Sequence, residues 1–466
     1  MNSSFRFLNT EQAETLHRSA LRVLAEHGVC VEHEEVAARL GGVGGVVHDG
    51  DRVRFPAPAV EAQLTDAGKT PLSFQRPRFG AHVGVYECRF LDPASGRMLV
   101  FDEALLARYI AFAQTFAEID YVGMLGLPFC PAGMAGNPQP LLEKVFAWKY
   151  GAVAEGAVHD VQYCEPLLEM FRCHAAATGR ALREVVAACG FMISPLRLAR
   201  GECEQLLWFA GQDLTMRIGS MPSMGGTAPV TLAGTVTLML AEQIFQFLLR
   251  KAMYGHDHFG VGVGCCTMDL RNGYACYGRP EQYRVTLAMA DLARFYGCAC
   301  YGHSGLSDAK VPSAEAGAQK MMGLMATGSA LGHASVSAGL LSMDEVCSPV
   351  QMVLDLDMVN SLNALHAAPA VDEEACAVGD ILAAGPGGNH LGTDLTAERC
   401  RTGMFHPRTW SPGLLARWQD GGGRTDVDQA RAVWEQFCAA WSPASAISAD
   451  EEEELWTIVR KCAIRA

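Results

Sequence analysis

The chain has 466 residues, 50% hydrophobic and 19% charged, and its 51 acidic against 37 basic side chains leave a net charge of −14. That balance argues against nucleic acid as the main partner, since phosphate binding draws on clustered Lys and Arg. The seventeen Cys have no regular spacing and read as small buried hydrophobes of a reducing compartment rather than as a disulfide framework. No N-terminal apolar run is long enough for a signal peptide. The longest greasy segment, 230–249, is interrupted by Glu242, Gln243 and Gln246, so no membrane partner is expected and the chain reads as cytoplasmic.

The first predicted element is an amphipathic helix. Asn9 and Gln12 form a capping box, Leu16, Ala20, Val23 and Leu24 give its apolar stripe, and Gly28 ends it. Residues 28 to 100 are short Gly- and Pro-rich pieces with strand-like runs such as "HVGVYECRFL", so residues 1–100 read as an N-terminal helix with an α+β cap region. From 101 the texture becomes β-then-α alternation. Strands are predicted at 120–125, 150–156, 184–193, 214–221, 258–265, 298–303 and 333–339, with helices between them such as 279–297 and 313–332. Such alternation implies parallel strands with crossover helices, and the count points to an α/β fold, a (β/α)8 TIM barrel over 101–420. A C-terminal helical extension follows over 421–466. The eighth strand is either near "GPGGN" or before residue 120, and an open doubly wound sheet is the alternative.

Chemistry in a barrel gathers where strands give way to loops. The stretch "GSMPSMGGTAPVTLAG" leaves the fourth predicted strand. Gly225 and Gly226 would let backbone approach a ligand, Thr227 would cap the next helix, and Pro229 suits its first turn. The plainer reading is a tight turn that seats an apolar helix. "GPGGN", 385–389, reads either as a backbone anion nest or as a sharp turn.

The segments "GGTAPVTLAG", "TMDLRNG" with "YGRPEQY", "LARFYG", "SDAK" and "GPGGNHL" occur in an order that resembles the trimethylamine methyltransferase superfamily. These are TIM-barrel enzymes that move a methyl group from a methylated amine to the cobalt of a separate corrinoid protein. The resemblance runs from the first helix to about residue 420. Members acting on trimethylamine carry pyrrolysine just before the Asp-Ala-Lys motif. Here residues 301–306 read Tyr-Gly-His-Ser-Gly-Leu, so the resemblance is to the branch without pyrrolysine, whose members demethylate quaternary amines such as glycine betaine. It implies a cobalamin or other corrinoid carried by a partner protein, a small quaternary amine as substrate, and a catalytic place for His303. It also implies corrinoid-facing backbone at Gly225, Gly226, Thr227, Gly387, Gly388, Asn389 and His390. Departures fall at Ser313, Glu315 and Gln319, where relatives read Asp-x-Gln-Ala and then a Glu, and at His390 and Leu395. They bear on the substrate more than on the reaction class.

A quaternary nitrogen already bears its positive charge, so losing a methyl group releases a neutral amine and needs no general acid. Aromatic faces and carboxylates suit such a head group. The predicted substrate-binding residues are Phe129, Glu155, Asp269, Tyr277, Tyr301 and Asp308, with Arg271 and Lys310 for a betaine carboxylate. Each has a structural alternative: Asp269 with Arg271 as a loop pair, Asp308 with Lys310 as an ion pair after the sixth predicted strand. Two rival functions stay open. Cys298, Cys300 and His303 beside Cys265 and Cys266 resemble material for a zinc site, although the cysteines fit a core equally well, and no metal is expected. A non-catalytic module binding a corrinoid protein or a betaine would keep the same fold. A homo-oligomer is likewise left open.

Overall fold

In the computed structural model, which describes residues 6–48, 50–131, 138–154, 156–401 and 403–463, the first capping box forms as predicted. Gln12 N donates to Asn9 Oδ1 at 2.8 Å and Asn9 N to Gln12 Oε1 at 2.9 Å. The helix it opens, α1 (Thr10–Glu26), buries Leu16, Ala20 and Leu24. It lies along a long apolar helix, α2 (Leu232–Tyr254). By length and composition α2 could cross a membrane, yet 67% of its apolar window is buried inside the protein. The other helices that matter here are α3 (Pro280–Tyr296), α4 (Ala314–Leu331) and α5 (Pro349–Leu365).

Eight of the strands that pair in parallel make up the main arcs of the fold. They are β1 (Arg78–Val85), β2 (Ile119–Met124), β3 (Val153–Ala154), β4 (Cys189–Phe191), β5 (Arg217–Gly219), β6 (Val261–Val263), β7 (Cys300–Gly302) and β8 (His333–Ser337). Each of the seven strands predicted after residue 101 is found, and all but β2 are shorter than the predicted run. The eighth, β1, comes from before residue 120. It lies inside the expected cap region and runs between β8 and β2.

The pairing forms two arcs rather than one ring. One runs β8–β1–β2–β3–β4–β5, with β3 and β4 joined through an Ala157–Cys189 bridge; the other is β6–β7. Among the described residues no strand ladder joins β5 to β6 or β7 to β8, so the fold is mixed α/β and the expected closed barrel is not drawn by strand pairing. The reason is visible at both seams, where polar side chains take the backbone groups that a ladder would use. Val261 N donates to Ala299 O across β6–β7, which turns the N–H and C=O of Gly262 to the other edge. Gln243 of α2 meets both, accepting from Gly262 N at 3.0 Å and donating to Gly262 O, while Gln246 donates to Ser220 Oγ beyond β5. At the second seam Ser304 Oγ donates to Ser335 O at 2.7 Å and accepts from Ser335 N at 3.0 Å.

Small sheets surround these arcs. Val29–Val31, Val46–His48 and Arg52–Arg54 join Arg197–Leu198, whereas Arg89–Leu91 and Met98–Val100 join Leu340–Leu341 and Val346–Cys347. Near the C-terminus, Trp434 packs among Phe90 and Phe112, and Leu455, Ile458 and Val459 are buried.

The end of β8 is fixed by an ion pair without solvent contact. Lys320 Nζ of α4 lies 2.5 Å from Asp355 Oδ2 of α5, with both side chains fully buried. Lys320 also donates to Ser337 O, and Asp355 accepts from Gly339 N and Gln351 Nε2. Burial pushes the lysine pKa down and the carboxyl pKa up, and each charge opposes the shift of the other. Removing one partner leaves a charge buried alone. Lys320→Met should therefore cost about 3–5 kcal/mol of unfolding free energy, and adding Asp355→Leu should recover much of that. Urea unfolding followed by circular dichroism measures both; a loss below about 1 kcal/mol in the single variant would contradict this account.

Candidate active site

Alternation along the strands separates two faces. In β1, Phe79, Ala81, Val83 and Val85 enter the helix-packed core, so Gly80 and His82 take the opposite, inner face. In β8, Ala334 and Val336 enter the core and leave Ser335 and Ser337 inside. Cys298 and Cys300 are buried in the core, and Tyr301 and His303 alternate with them. The inner positions hold four accessible apolar side chains: Tyr121 at 44%, Phe191 at 55%, Met221 at 45% and Tyr301 at 65%. Glycines keep the space open. Gly219 lies beneath Phe191, where a Cβ would stand 3.1 Å from the ring, and a Cβ at Gly262 would meet nothing nearer than Tyr301 O at 3.6 Å.

Two imidazoles belong to this face. His82 has Nδ1 2.8 Å from Ser335 Oγ and Nε2 3.1 Å from Ser337 Oγ, and its ring stacks on Tyr121 at 5.3 Å with 12° between planes. Burial, and then the proximity of His303, bring its pKa down to about 4, against a smaller opposing pull from Asp120. His303 keeps solvent contact, yet the protein around its ring disfavours the charged form and lowers its pKa. His82 is therefore neutral near pH 7.

Tyr277 reaches over this region, its hydroxyl 3.4 Å from Met221 Sδ, and burial pushes the phenol pKa up. Asp308 holds it there by accepting from Tyr277 N at 2.7 Å and Gly278 N at 3.2 Å. The Asp308–Lys310 ion pair, the structural alternative to a substrate role, does not form: Lys310 is exposed, and no ion pair reaches it among the described residues. Gln319 Oε1 instead accepts from Asp308 N and Ser307 Oγ, while its amide donates to Glu315, and Ser313 caps α4. The unusual Ser313, Glu315 and Gln319 thus form a satisfied network behind Asp308.

Asp269 and Arg271 form a loop pair. The buried Asp269 carboxylate accepts from the Arg271 side chain at 2.9 and 2.6 Å and from Arg279 at 2.7 Å, which holds its pKa well below the usual range, while Arg271 is 81% exposed. Phe129 packs edge-on against Phe146 at 5.2 Å, and Glu155 lies outside the described residues. Gly225 has φ +88°, and a Cβ on Gly226 would stand 2.7 Å from Met268 Cε, so both glycines serve the turn. Thr227 does not cap α2. Its hydroxyl accepts from Ser223 N, and Thr231 caps by accepting from Gly234 N, because the chain makes a further turn before the helix starts. Gly387, Gly388, Asn389 and His390 are not brought to the other predicted residues. They lie in an exposed segment whose hydrogen bonds are local, including Gly388 N to Gly385 O and Leu391 N to Asn389 Oδ1.

Cys298, Cys300 and His303 are not gathered either, since the cysteines and the imidazole take opposite faces. Among the described residues no group of three or more His, Cys, Asp or Glu is placed to hold a metal ion. At the C-terminal ends of β1 and β2 a cavity of 220 Å3 is bordered by Tyr86, Glu87, Glu143, His159, Asp344 and Glu345. Burial raises the Asp344 pKa. The sequence reading missed His82, Ser335 and Ser337. The signal available was a polar residue at every second place in "AHVGV" and "ASVS".

The family model described as trimethylamine methyltransferase (MTTB) matches residues 2–463. A glycine betaine methyltransferase from Desulfitobacterium hafniense strain Y51 is 24% identical, with 94% of this chain and 93% of the relative aligned. The trimethylamine methyltransferase MttB of Methanosarcina barkeri is 32% identical over 44% of this chain, and the match spans 41% of that relative's length. Among solved structures, the monomethylamine methyltransferase MtmB of Methanosarcina barkeri superposes with a TM-score of 0.49 at 12% identity, covering 97% of this chain and 89% of that one.

The His82 environment sets a pH dependence. Its folded pKa of about 4 lies below the ordinary 6.5, so the unfolded chain takes up a proton that the native state refuses. The stabilisation is complete above pH 6.5 and is lost as pH falls from 6.5 towards 4, by up to about 3 kcal/mol. Urea midpoints across that window should fall more steeply for the wild type than for His82→Phe; parallel curves would contradict the assignment.

Proposed function

The chain belongs to the trimethylamine methyltransferase (MTTB) family, and on that premise we propose that it moves a methyl group from a quaternary amine of the glycine betaine kind to the Co(I) of a separate corrinoid protein. The two parallel arcs are read as one (β/α)8 barrel, with β1 joined to the strands of 101–420 and residues 421–466 as a helical extension. The similarity to a glycine betaine methyltransferase along 94% of the chain supports the substrate class. The observation that carries the reading is the accessible inner face of Tyr121, Phe191, Met221 and Tyr301 beside His303 and a His82 that burial keeps neutral.

A trimethylammonium head has no N–H to donate, so it is held by aromatic and thioether surfaces. Carboxylates at the mouth, Glu87, Asp344 and Glu345, draw cations towards the opening. His303 positions the head group with its methyl carbon open to the approaching corrinoid, and the apolar lining excludes water from that path. No proton transfer is needed, which fits an inner face without a charged acid among those four side chains. The corrinoid arrives as the partner protein's cargo and supplies the cobalt nucleophile that accepts the methyl group. The inner side of Gly219 and Gly262 leaves room for such an approach. The reaction is placed in the cytoplasm, with the apolar α2 serving as a core helix.

Two outcomes test this reading. Glycine betaine should methylate a Co(I) corrinoid protein, followed by its visible spectrum, and dimethylglycine should not; equal rates with trimethylamine would remove charge on nitrogen as the basis of the reaction. His303→Ala should lower turnover about a hundredfold, close to 3 kcal/mol in the barrier. A thermal midpoint near the wild-type value would assign that loss to the site, whereas a large fall in the midpoint with near-normal turnover would make His303 a core residue.

A further inference from the structure

His82 combines features that a merely structural histidine does not need. Both ring nitrogens are engaged, one with each hydroxyl of Ser335 and Ser337, so neither is left to exchange a proton with a ligand. What the residue can offer is ring surface. One face stacks on the accessible Tyr121, and the pair stands on the inner side of the strands, within electrostatic reach of His303. Across β7 and β8 a second pair, Tyr301 and His333, meets edge to face with centroids 6.3 Å apart. Phe191 stands over Gly219 on β5. The charged groups around His82 are few. Asp120 of β2 is 3.7 Å from Arg78, and Lys320 of α4 is neutralised by Asp355.

We propose that His82 is a specificity-determining residue, whose uncharged ring, pinned by Ser335 and Ser337 and stacked on Tyr121, forms an aromatic wall that favours a methylated ammonium over an uncharged group of the same shape. This rests on the quaternary-amine reading above and names the residues that would make the selection. An imidazole held by two hydroxyls presents π-electron density at no cost in reorganisation. The same ring with a proton would repel the cation. Burial, which keeps it neutral, is therefore part of the selection.

Binding can be read without the corrinoid partner. Isothermal calorimetry on the full chain at pH 7.5 would compare choline with its uncharged carbon isostere 3,3-dimethylbutan-1-ol, for the wild type, His82→Ala and His82→Phe. The wild type should favour the cation. His82→Ala should weaken choline about tenfold while changing the uncharged isostere by less than threefold, and His82→Phe should restore most of the cation affinity. Equal losses for both probes would reduce His82 to shape alone and overturn the proposal. Unchanged cation binding in both variants would overturn it too, leaving the quaternary-amine reading intact. A wild type that does not bind choline would overturn both. Should His82→Ala not fold, the His82→Phe comparison decides, since a cation affinity below a tenth of wild type in a folded variant excludes an aromatic-face role.

Discussion

The Lys320–Asp355 pair anchors the region on which the candidate site is built. Two opposite charges without water are tolerable only if each is closely matched, and here the match extends to backbone: Lys320 to Ser337 O, Asp355 to Gly339 N. The pair therefore fixes the place where β8 ends and its loop begins. Ser337 is the last residue of that strand, and its hydroxyl holds His82 on β1. A buried ion pair between two helices thus sets an aromatic surface on the other side of the strands.

The second constraint is the cost of unsatisfied backbone at the two seams. An unpaired strand edge is unfavourable, and the chain meets this with Gln243 at Gly262 and with Ser304 at Ser335. Gly219 and Gly262 add no side chain to the inner face, and the proposed chemistry needs space there. The three polar residues that interrupt the apolar α2 segment have a use on this view: Glu242 accepts from Ser194 Oγ and Leu196 N, Gln243 serves the seam at Gly262, and Gln246 donates to Ser220 Oγ.

Asp308 shows how family resemblance and physical role can diverge. As part of "SDAK" it was expected at the substrate, and in the structure it clamps the first turn of "YGRPEQY" through Tyr277 N and Gly278 N. The two segments are neighbours because one carboxylate satisfies both amides. The same contact explains why the changes at Glu315 and Gln319 are compatible with a formed loop: a side-chain carbonyl in place of a carboxylate still accepts from Asp308 N. Tyr277 gains its place over Met221 by this indirect route.

The sequence by itself determined what depends on neighbours along the chain. The Asn9–Gln12 capping box, the α1 stripe, the alternation of short strands with long helices, and the face shared by Tyr301 and His303 follow from periods of 3.6 and 2 and from local hydrogen bonding. The order of motifs added the family. Tertiary structure decided what depends on pairing across the chain: that β1 sits between β8 and β2, that His82 meets Ser335 and Ser337, and that Lys320 meets Asp355. It also decided that "GPGGN" lies apart from the other predicted residues and that the strand arcs are separated by side chains. His82 and Ser335 are more than 250 positions apart. No periodicity links such residues, because a hydrogen bond between distant strands depends on the register that helix packing imposes, and register is a property of the folded chain.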